Sequence, residues 1–389
     1  MAKTTFERKY KEEKPVLAIC YDFDKTLSPD DMQAQGYIQS VGYDVGEFWK
    51  ESNALAESND MDQNLAYMFK MLDAAEGRRL FTKDELIKCG KEVELFPGVE
   101  NWFDRIRRYG RGKGVIVEHY IISSGLKEMI EGTPVAGEFE KIYASSFYFN
   151  EKGVAKWPAQ AINYTNKTQF LFRIQKGVLD INDPGVNDYF SPEDIRVPFR
   201  NMVYIGDSDT DVPCMKLVNS YGGHSIGVYH SQTLDKTKVY KMMREGRIKY
   251  YVPADYTEDA ELDRLIRLII DRTAVNEKLE ELYYECKKEN IEADKLNDEQ
   301  EIKKKNLMID LENSRSFART HEIIRGLQLI ADWSDDDCEK LYKTALSNKQ
   351  VFYILGDPDL RIFYEMLINN QKKLSENAQK IKGIIEEEQ

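Results

Sequence analysis

The chain has 389 residues, more than a single hydrophobic core usually serves, so two or three domains are expected. Apolar residues make up 42% of the sequence, which is enough for packed interiors, and the formal net charge of −13 disfavours binding to nucleic acid or to an anionic membrane. The five cysteines are scattered without a Cys-x-x-Cys pair, so neither a disulfide framework nor a zinc cluster is expected. Because the first fifteen residues are charged and no apolar signal segment follows them, the sequence predicts a cytoplasmic protein.

Strands and helices are predicted to alternate over the first two thirds of the chain. A continuous apolar run at 16–23 is typical of a strand that is buried on both faces. Helical spacing of apolar side chains follows at 29–94. Later come a helix from Thr168 to Gln175 that stops at Gly177, a hairpin around 150–153, and strands at 115–122, 142–144, 201–205 and 225–229. These elements predict an α/β fold with a mostly parallel, Rossmann-like sheet of about five strands flanked by helices.

Three domains are expected from this pattern. An α/β core comprises residues 1–28 and 95–257, a helical cap comprises 29–94, and an all-α region of unknown role comprises 258–389. The charged stretch 287–305 is expected to be a solvated helix or a linker. The helical region could pack on the rest of the chain, pair with a second copy, or bind a separate protein partner.

Two acidic clusters follow apolar strands. Asp22 and Asp24 are separated by one residue after the first strand, so their side chains should point the same way. Asp207 opens the run Gly-Asp-Ser-Asp-Thr-Asp, which ends at Asp211. Taken singly, each cluster also fits a turn or a helix cap. Because carboxylates this close repel one another, together they favour a hard divalent cation such as Mg²⁺.

Two further signals are weak by themselves. Ser123, Ser124 and Gly125 end the second strand before a short helix, an arrangement that offers a hydroxyl and backbone N–H groups to an anion but also suits a simple N-cap. Lys167 opens a helix, where lysines are common. All four signals nevertheless fall at carboxyl ends of strands or at the start of an adjoining helix, and ligands bind at that edge of an open α/β sheet.

In these four places the sequence resembles the haloacid dehalogenase-like (HAD) phosphohydrolases, over roughly residues 16–252. Their first motif, DxDxT, matches DFDKT, which ends at Thr26, and the second, a strand that ends in Ser or Thr, matches IISSG. The third motif is a lysine, matched by Lys167, and the fourth, GDxxxD, matches GDSDTD. A helical segment of about 65 residues, 29–93, lies between the first two motifs and resembles the cap of phosphoserine-phosphatase-like members.

The resemblance implies a role for each matched position. Asp22 would be the nucleophile that forms an aspartyl-phosphate, and Asp24 would be the general acid and then the general base. The Asp22 carboxylate, the Asp24 main-chain carbonyl and Asp207 would bind Mg²⁺. The phosphoryl oxygens would be held by Lys167 and by the loop Ser123-Ser124-Gly125, and Thr26 and Asp211 would have supporting roles.

The resemblance also bears on the substrate. An acidic residue two positions after the nucleophile favours phosphomonoester hydrolysis, and a closing cap favours a small phosphorylated metabolite or a mononucleotide. Four cap aromatic residues are expected to divide between the core of the cap and the substrate pocket: Phe48, Trp49, Tyr67 and Phe69. Two alternatives stay open, a phosphotransferase and a phosphate-ligand sensor or scaffold whose helical tail binds a protein partner.

Overall fold

The computed structural model describes residues 6–190, 194–293, 299–371 and 373–387. It comprises two compact units. The first contains residues 1–183 and 196–277, and the second contains 184–195 and 278–389. The boundary predicted at residue 258 therefore differs from the division by contacts, which keeps 258–277 with the first unit.

The first unit is built on a seven-stranded sheet in the order β4-β3-β2-β1-β5-β6-β7. All neighbouring pairs are parallel except β3 with β4, which form the antiparallel hairpin expected around 150–153. The sheet has seven strands rather than about five, since the expected hairpin adds β4 at one edge and β7, which the sequence did not predict, forms the other. The strands are β1 Val16–Tyr21, β2 Ile116–Leu126, β3 Lys141–Phe149, β4 Ala155–Gln160, β5 Met202–Gly206, β6 His224–Tyr229 and β7 Tyr250–Pro253.

Apolar side chains cover both faces of the central strands. All six residues of β1 are buried, and they alternate between two cores. Leu17, Ile19 and Tyr21 pack into one core, whereas Val16, Ala18 and Cys20 pack into the other. Because successive side chains of a strand point to opposite faces, this alternation explains why β1 is apolar throughout.

Helices surround the sheet and form the segment between β1 and β2. Their bounds are α1 Tyr37–Ser40, α2 Val45–Ser58, α3 Gln63–Ala75, α4 Lys83–Lys91, α5 Val99–Gly112, α6 Lys127–Gly132, α7 Thr168–Lys176, α8 Val212–Ser220, α9 Thr237–Arg244 and α10 Glu261–Ala293. Helices α1 to α4 form the cap. The side chains of Asp44, Asp62 and Thr82 accept hydrogen bonds from backbone N–H groups at the starts of α2, α3 and α4, and so fix these starts.

The last cap helix lies directly against the first helix after β2. At the crossing of α4 and α6, a Cβ atom added to Gly90 would collide with the carbonyl oxygen of Met129, and one added to Gly132 would collide with that of Ile87. Only glycine allows the two backbones to approach this closely. The exit of the cap is therefore packed tightly against the core.

A buried ion network ties the chain start to β2. Glu118 accepts hydrogen bonds from Arg196 at 2.7 Å through both carboxylate oxygens, from Lys9 at 2.6 Å and from the Tyr120 hydroxyl at 2.7 Å. Burial alone would raise the pKa of Glu118, but the hydrogen bonds and charges of Arg196 and Lys9 lower it to about 2. The carboxylate is thus held ionised inside the fold.

The second unit is helical in its described residues. Its elements are the remainder of α10 together with α11 Glu299–Glu312, α12 Phe317–Gln328, α13 Asp335–Ser347, α14 Lys349–Tyr353, α15 Pro358–Asn369 and α16 Glu376–Glu387. Leu327, Tyr342, Phe363 and Leu367 lie in its own apolar core. Part of the predicted charged stretch, 294–298, lies outside the described residues. Among the helices that the structure describes, none combines the length and the apolar character needed to span a membrane.

Candidate active site

The four sequence motifs meet at one edge of the sheet. Asp22 follows β1, Asp207 follows β5, Ser123 lies near the end of β2, and Lys167 directly precedes α7. Since β2, β1 and β5 are neighbours in the sheet, their carboxyl ends bring these side chains together. All four side chains are buried, and Lys167 is fully inaccessible to solvent.

Lys167 joins two of the aspartates. Its Nζ lies 2.7 Å from Oδ1 of Asp211 and 3.2 Å from Oδ1 of Asp22. The Tyr204 hydroxyl donates a second hydrogen bond to Asp211 Oδ1, at 2.9 Å. Gly206 permits this arrangement, since a Cβ atom there would collide with the Asp211 carboxylate. Burial lowers the pKa of Lys167, but the two carboxylates more than offset this and hold it above its ordinary value.

The turn after β1 orients Asp24. The backbone N–H groups of Thr26, Leu27 and Ser28 all donate to the Phe23 carbonyl, and Lys25 adopts a left-handed conformation with φ 57°. Asp24 Oδ1 accepts a hydrogen bond of 2.8 Å from the N–H of Met32. Thr26 supports the turn from inside the fold, where its carbonyl accepts a hydrogen bond from the Tyr256 hydroxyl.

The loop Ser123-Ser124-Gly125 lies beside these carboxylates. Ser123 Oγ accepts a hydrogen bond of 3.1 Å from the N–H of Gly125. A Cβ atom at Gly125 would lie 2.5 Å from Cε of Met32 and 2.8 Å from Oδ2 of Asp24, so glycine here lets both side chains keep their positions. Ser123, Ser124 and Gly125 all line the same cavity as Asp22.

The carboxylates could hold a metal ion. Asp22, Asp207 and Asp211 each place one carboxylate oxygen within 4.8 Å of the others. Asp22 Oδ1 is contacted by Lys167 through an ion pair of 3.2 Å, whereas Asp211 Oδ1 accepts hydrogen bonds from both Lys167 and Tyr204. This donor set fits a hard divalent cation, with Asp22 and Asp207 as the freer ligands. The predicted ligand role of the Asp24 carbonyl stays a prediction.

Burial raises the pKa values of three aspartates of the site, Asp22, Asp24 and Asp207. It raises the pKa of Asp22 to about 6, with Lys167 opposing the rise, and the pKa of Asp207 to about 7, with Asp211 and Asp22 adding to the rise. The pKa of Asp24 is also held above its ordinary value, first by burial and then by Asp31 and Asp22. A bound divalent cation would oppose all three shifts.

The cap lies over the site in a closed position. The Tyr67 hydroxyl donates a hydrogen bond of 2.7 Å to the Ser124 carbonyl, and Asn64 Nδ2 donates one of 2.8 Å to the Ile162 carbonyl. Next to the second of these bonds, Asn163 Nδ2 donates to Asp62 Oδ2 at 2.8 Å. The cavity so enclosed measures about 490 Å³, a volume suited to a small molecule.

The cap supplies other residues to the cavity than the sequence suggests. Of the four aromatic residues expected to divide between core and pocket, none has its ring among the cavity-lining residues, and Met61, Asp62, Gln63 and Asn64 lie there instead. Phe48 and Tyr67 are buried in the core, and Trp49 packs against both rings. Phe69 lies outside, with half of its surface exposed.

Sequence reasoning missed several further residues of the site. Asp31, Asn163, Tyr164 and Lys238 line the cavity, and Lys238 Nζ lies 3.7 Å from Asp207 Oδ2. Asn163 carried the best available signal, because it lies four residues before Lys167 in a polar turn. Lys238 carried none, since it is an ordinary exposed lysine of α9.

Comparison with known proteins places these features in context. No family model matches the chain. An uncharacterized protein of Borreliella burgdorferi is 25% identical over 279 residues, which are 64% of this chain and 95% of that protein.

The chain also superposes on solved structures of low sequence identity. An unliganded probable phosphoserine phosphatase from Vibrio cholerae superposes with a TM-score of 0.45 at 12% identity, over 68% of this chain and 67% of that chain. A HAD family hydrolase from Salmonella enterica serovar Typhi gives a TM-score of 0.43 at 16% identity, over 67% of this chain and 74% of that chain. At TM-scores this low, the resemblance depends on the motifs and on where the fold places them. The chain resembles the HAD-like phosphohydrolases, as the sequence predicts, both in the order of its motifs and in the sheet edge where they meet.

Proposed function

We propose that the protein is a Mg²⁺-dependent phosphomonoester hydrolase that acts through an aspartyl-phosphate on Asp22. The observation that carries this proposal is the contact of Lys167 with both Asp22 and Asp211 beside a cavity that Asp22, Asp24 and Asp207 line. A structural salt bridge would not require a second acid at Asp24 and a cavity above it. The substrate is a small phosphorylated metabolite or mononucleotide that fits below the closed cap.

The first step transfers the phosphoryl group to the protein. A carboxylate oxygen of Asp22 attacks phosphorus, and the bond from phosphorus to the ester oxygen breaks. The Asp24 carboxyl gives its proton to the leaving alkoxide, so the alcohol departs neutral. Lys167 and the loop 123–125 hold the phosphoryl oxygens while negative charge shifts toward the leaving group.

The second step returns the protein to its starting state. A water molecule loses its proton to the Asp24 carboxylate and attacks phosphorus, the bond to Asp22 breaks, and inorganic phosphate leaves. The hydrogen bond from the Met32 N–H keeps Asp24 in place through both steps. Mg²⁺ held by Asp22 and Asp207 would neutralise charge on the phosphoryl oxygens. Asp211, fixed by Tyr204, positions Lys167.

The proposal is tested by replacing Asp22 with Asn and measuring p-nitrophenyl phosphate hydrolysis in the presence of Mg²⁺. The amide cannot attack phosphorus, so the rate should fall below about a hundredth of the wild-type value. Asp209→Asn is the matched control, because Asp209 belongs to the same acidic loop but is exposed and pairs with Lys241 and Arg247.

The outcomes separate the candidate functions. Retention of the wild-type rate by Asp22→Asn would exclude the covalent mechanism. Loss of activity on chelation and its return with Mg²⁺ are expected from the carboxylate cluster. Tight binding of phosphorylated ligands by wild-type protein without any turnover would favour the sensor or scaffold, whose partner would bind residues 258–389. The cytoplasmic location and pairing with a second copy stay predictions.

A further inference from the structure

Helix α3 has two apolar faces, and the core of the cap explains only one of them. Ala66, Met68 and Met71 are buried in the core, as expected for a cap helix. Leu65, Phe69 and Leu72 form a second stripe with spacings of four and three residues, so they lie along one side of the helix. Phe69 is 51% exposed, and Leu65 and Leu72 are half-buried.

The second stripe faces an apolar groove. Its other wall carries two large exposed side chains, Trp157 of β4, which is 72% exposed, and Leu80, which is 71% exposed. The groove encloses about 600 Å³, within the range of small-molecule pockets. Contiguous exposed apolar surface of this kind marks a binding site rather than ordinary surface.

The groove adjoins the catalytic cavity. Met61 lines both cavities, and the nearby Gln63 and Asn64 line the polar one. A chain attached to a phosphate at Asp22 would therefore pass these two polar side chains and Met61 before it reached the apolar stripe of α3. All of these residues belong to the first unit.

The charges around the groove balance. Two acidic side chains, Asp73 and Glu76, and two basic ones, Arg79 and Lys156, line it. This balance selects neither a cationic nor an anionic occupant, so an uncharged apolar chain fits best. Along α3 the stripe from Leu65 to Leu72 is about 10 Å long, which suits a chain of medium length.

We propose that the groove binds the apolar part of the leaving group, so that the substrate is a single-chain amphiphilic phosphate monoester. The inference rests on the proposed function, since it places the phosphate at Asp22 and the chain beyond Met61. The apolar chain then decides which phosphate ester is bound. Each methylene that enters the groove should tighten binding by about two- to fourfold, until the groove is full.

The test measures binding, so it does not depend on turnover. Isothermal titration calorimetry of the Asp22→Asn protein with Mg²⁺ uses straight-chain alkyl monophosphates from ethyl to octyl, each below its critical micelle concentration. Affinity should rise with chain length in this background. The rise should vanish when Phe69, Leu80 and Trp157 are all replaced by Ala, while binding of inorganic phosphate stays unchanged. These side chains are exposed, so their truncation should leave the fold intact by circular dichroism.

A matched control replaces Leu268 with Ala, an exposed leucine of α10 that does not line the groove, and the dependence on chain length should persist. The proposal is overturned if affinity does not depend on chain length, or if the triple variant keeps that dependence. If octanol bound as tightly as octyl phosphate, the phosphate would contribute nothing to binding. The proposal that one ligand occupies both the catalytic cavity and the groove would then be overturned. A change in solution molecular mass of the triple variant would assign the groove to a second copy instead.

The experiments distinguish a wrong proposal about the groove from a wrong proposal about hydrolase activity. Wild-type hydrolysis of p-nitrophenyl phosphate without any dependence on alkyl chain length would keep the hydrolase and reject the groove. Binding that depends on chain length, without turnover of any ester, would keep the groove as a ligand site and reject the hydrolase.

Discussion

Replacement of Lys167 by Met tests the centre of the proposed site. It removes one buried positive charge and leaves two buried carboxylates, Asp22 and Asp211, without their partner. At 3.2 Å and an effective dielectric constant of 20, the attraction between Lys167 and Asp22 is about 5 kcal/mol before desolvation is counted. Loss of one partner from a buried ion pair costs about 3–5 kcal/mol of stability. For a unit of this size that corresponds to a fall in Tm of roughly 10 °C.

The variant should also lose activity, because no ammonium group would then hold the phosphoryl oxygens. A second change separates the two effects. Asp211→Asn in the Lys167→Met background removes one stranded carboxylate, so part of the lost Tm should return while hydrolysis stays absent. Differential scanning calorimetry measures the first effect, and p-nitrophenyl phosphate hydrolysis measures the second.

Two results would contradict this reasoning. An unchanged Tm in Lys167→Met would mean that the buried charges are compensated by other groups. A double variant less stable than the single variant would mean that Asp211 stabilises the fold through Tyr204 rather than through Lys167. Lys167→Arg is the charge-preserving control, and it should keep more stability than the Met variant.

Three further predictions follow from contacts described above. Asp24→Ala should accumulate phosphate on Asp22 with p-nitrophenyl phosphate, whose leaving group needs no proton, because the general base for the second step is missing; intact-mass spectrometry that finds no adduct would contradict this division of roles. Glu118→Gln should destabilise the first unit by about 3 kcal/mol, since the pKa of Glu118 is lowered from 4.5 to about 2. Wild-type stability from this group is present above pH 4.5 and is lost as the pH falls toward 2, so unfolding curves of the two proteins should converge in acid. Tyr67→Phe removes the hydrogen bond to Ser124 and should lower kcat/KM by about two- to tenfold through weaker cap closure, and an unchanged kcat/KM at normal stability would exclude that role.

The sequence was most informative where short-range pattern and topology agree. Buried parallel strands must end in polar residues if they bind a ligand, so the sequence alone assigns Asp22 and Asp207 to one sheet edge. The stop of α7 at Gly177 was equally readable, because its φ of 71° is a conformation that favours glycine. Both predictions depend on local residue chemistry alone.

Long-range partners could not be predicted in the same way. Tyr204 lies in the apolar strand β5 and looks like a core residue, although its hydroxyl holds Asp211. Strand β7 was missed because it is only four residues long, contains a proline and is only partly buried. Met61 to Asn64 carry no motif, and they reach the cavity only because α3 begins at its rim.

The glycine crossing of α4 and α6 has a consequence for how substrates enter and products leave. Helix α6 begins two residues after Gly125, and α4 is the last helix of the cap. With the backbones in contact at Gly90 and Gly132, a swing of the whole cap would have to drag the phosphate-binding loop with it. Opening is therefore expected at the other side of the cap, around Asp62 and Asn64, where two hydrogen bonds to residues 162 and 163 rather than packed backbone hold the entrance shut. Such a one-sided entrance would leave the anion-binding loop undisturbed between turnovers.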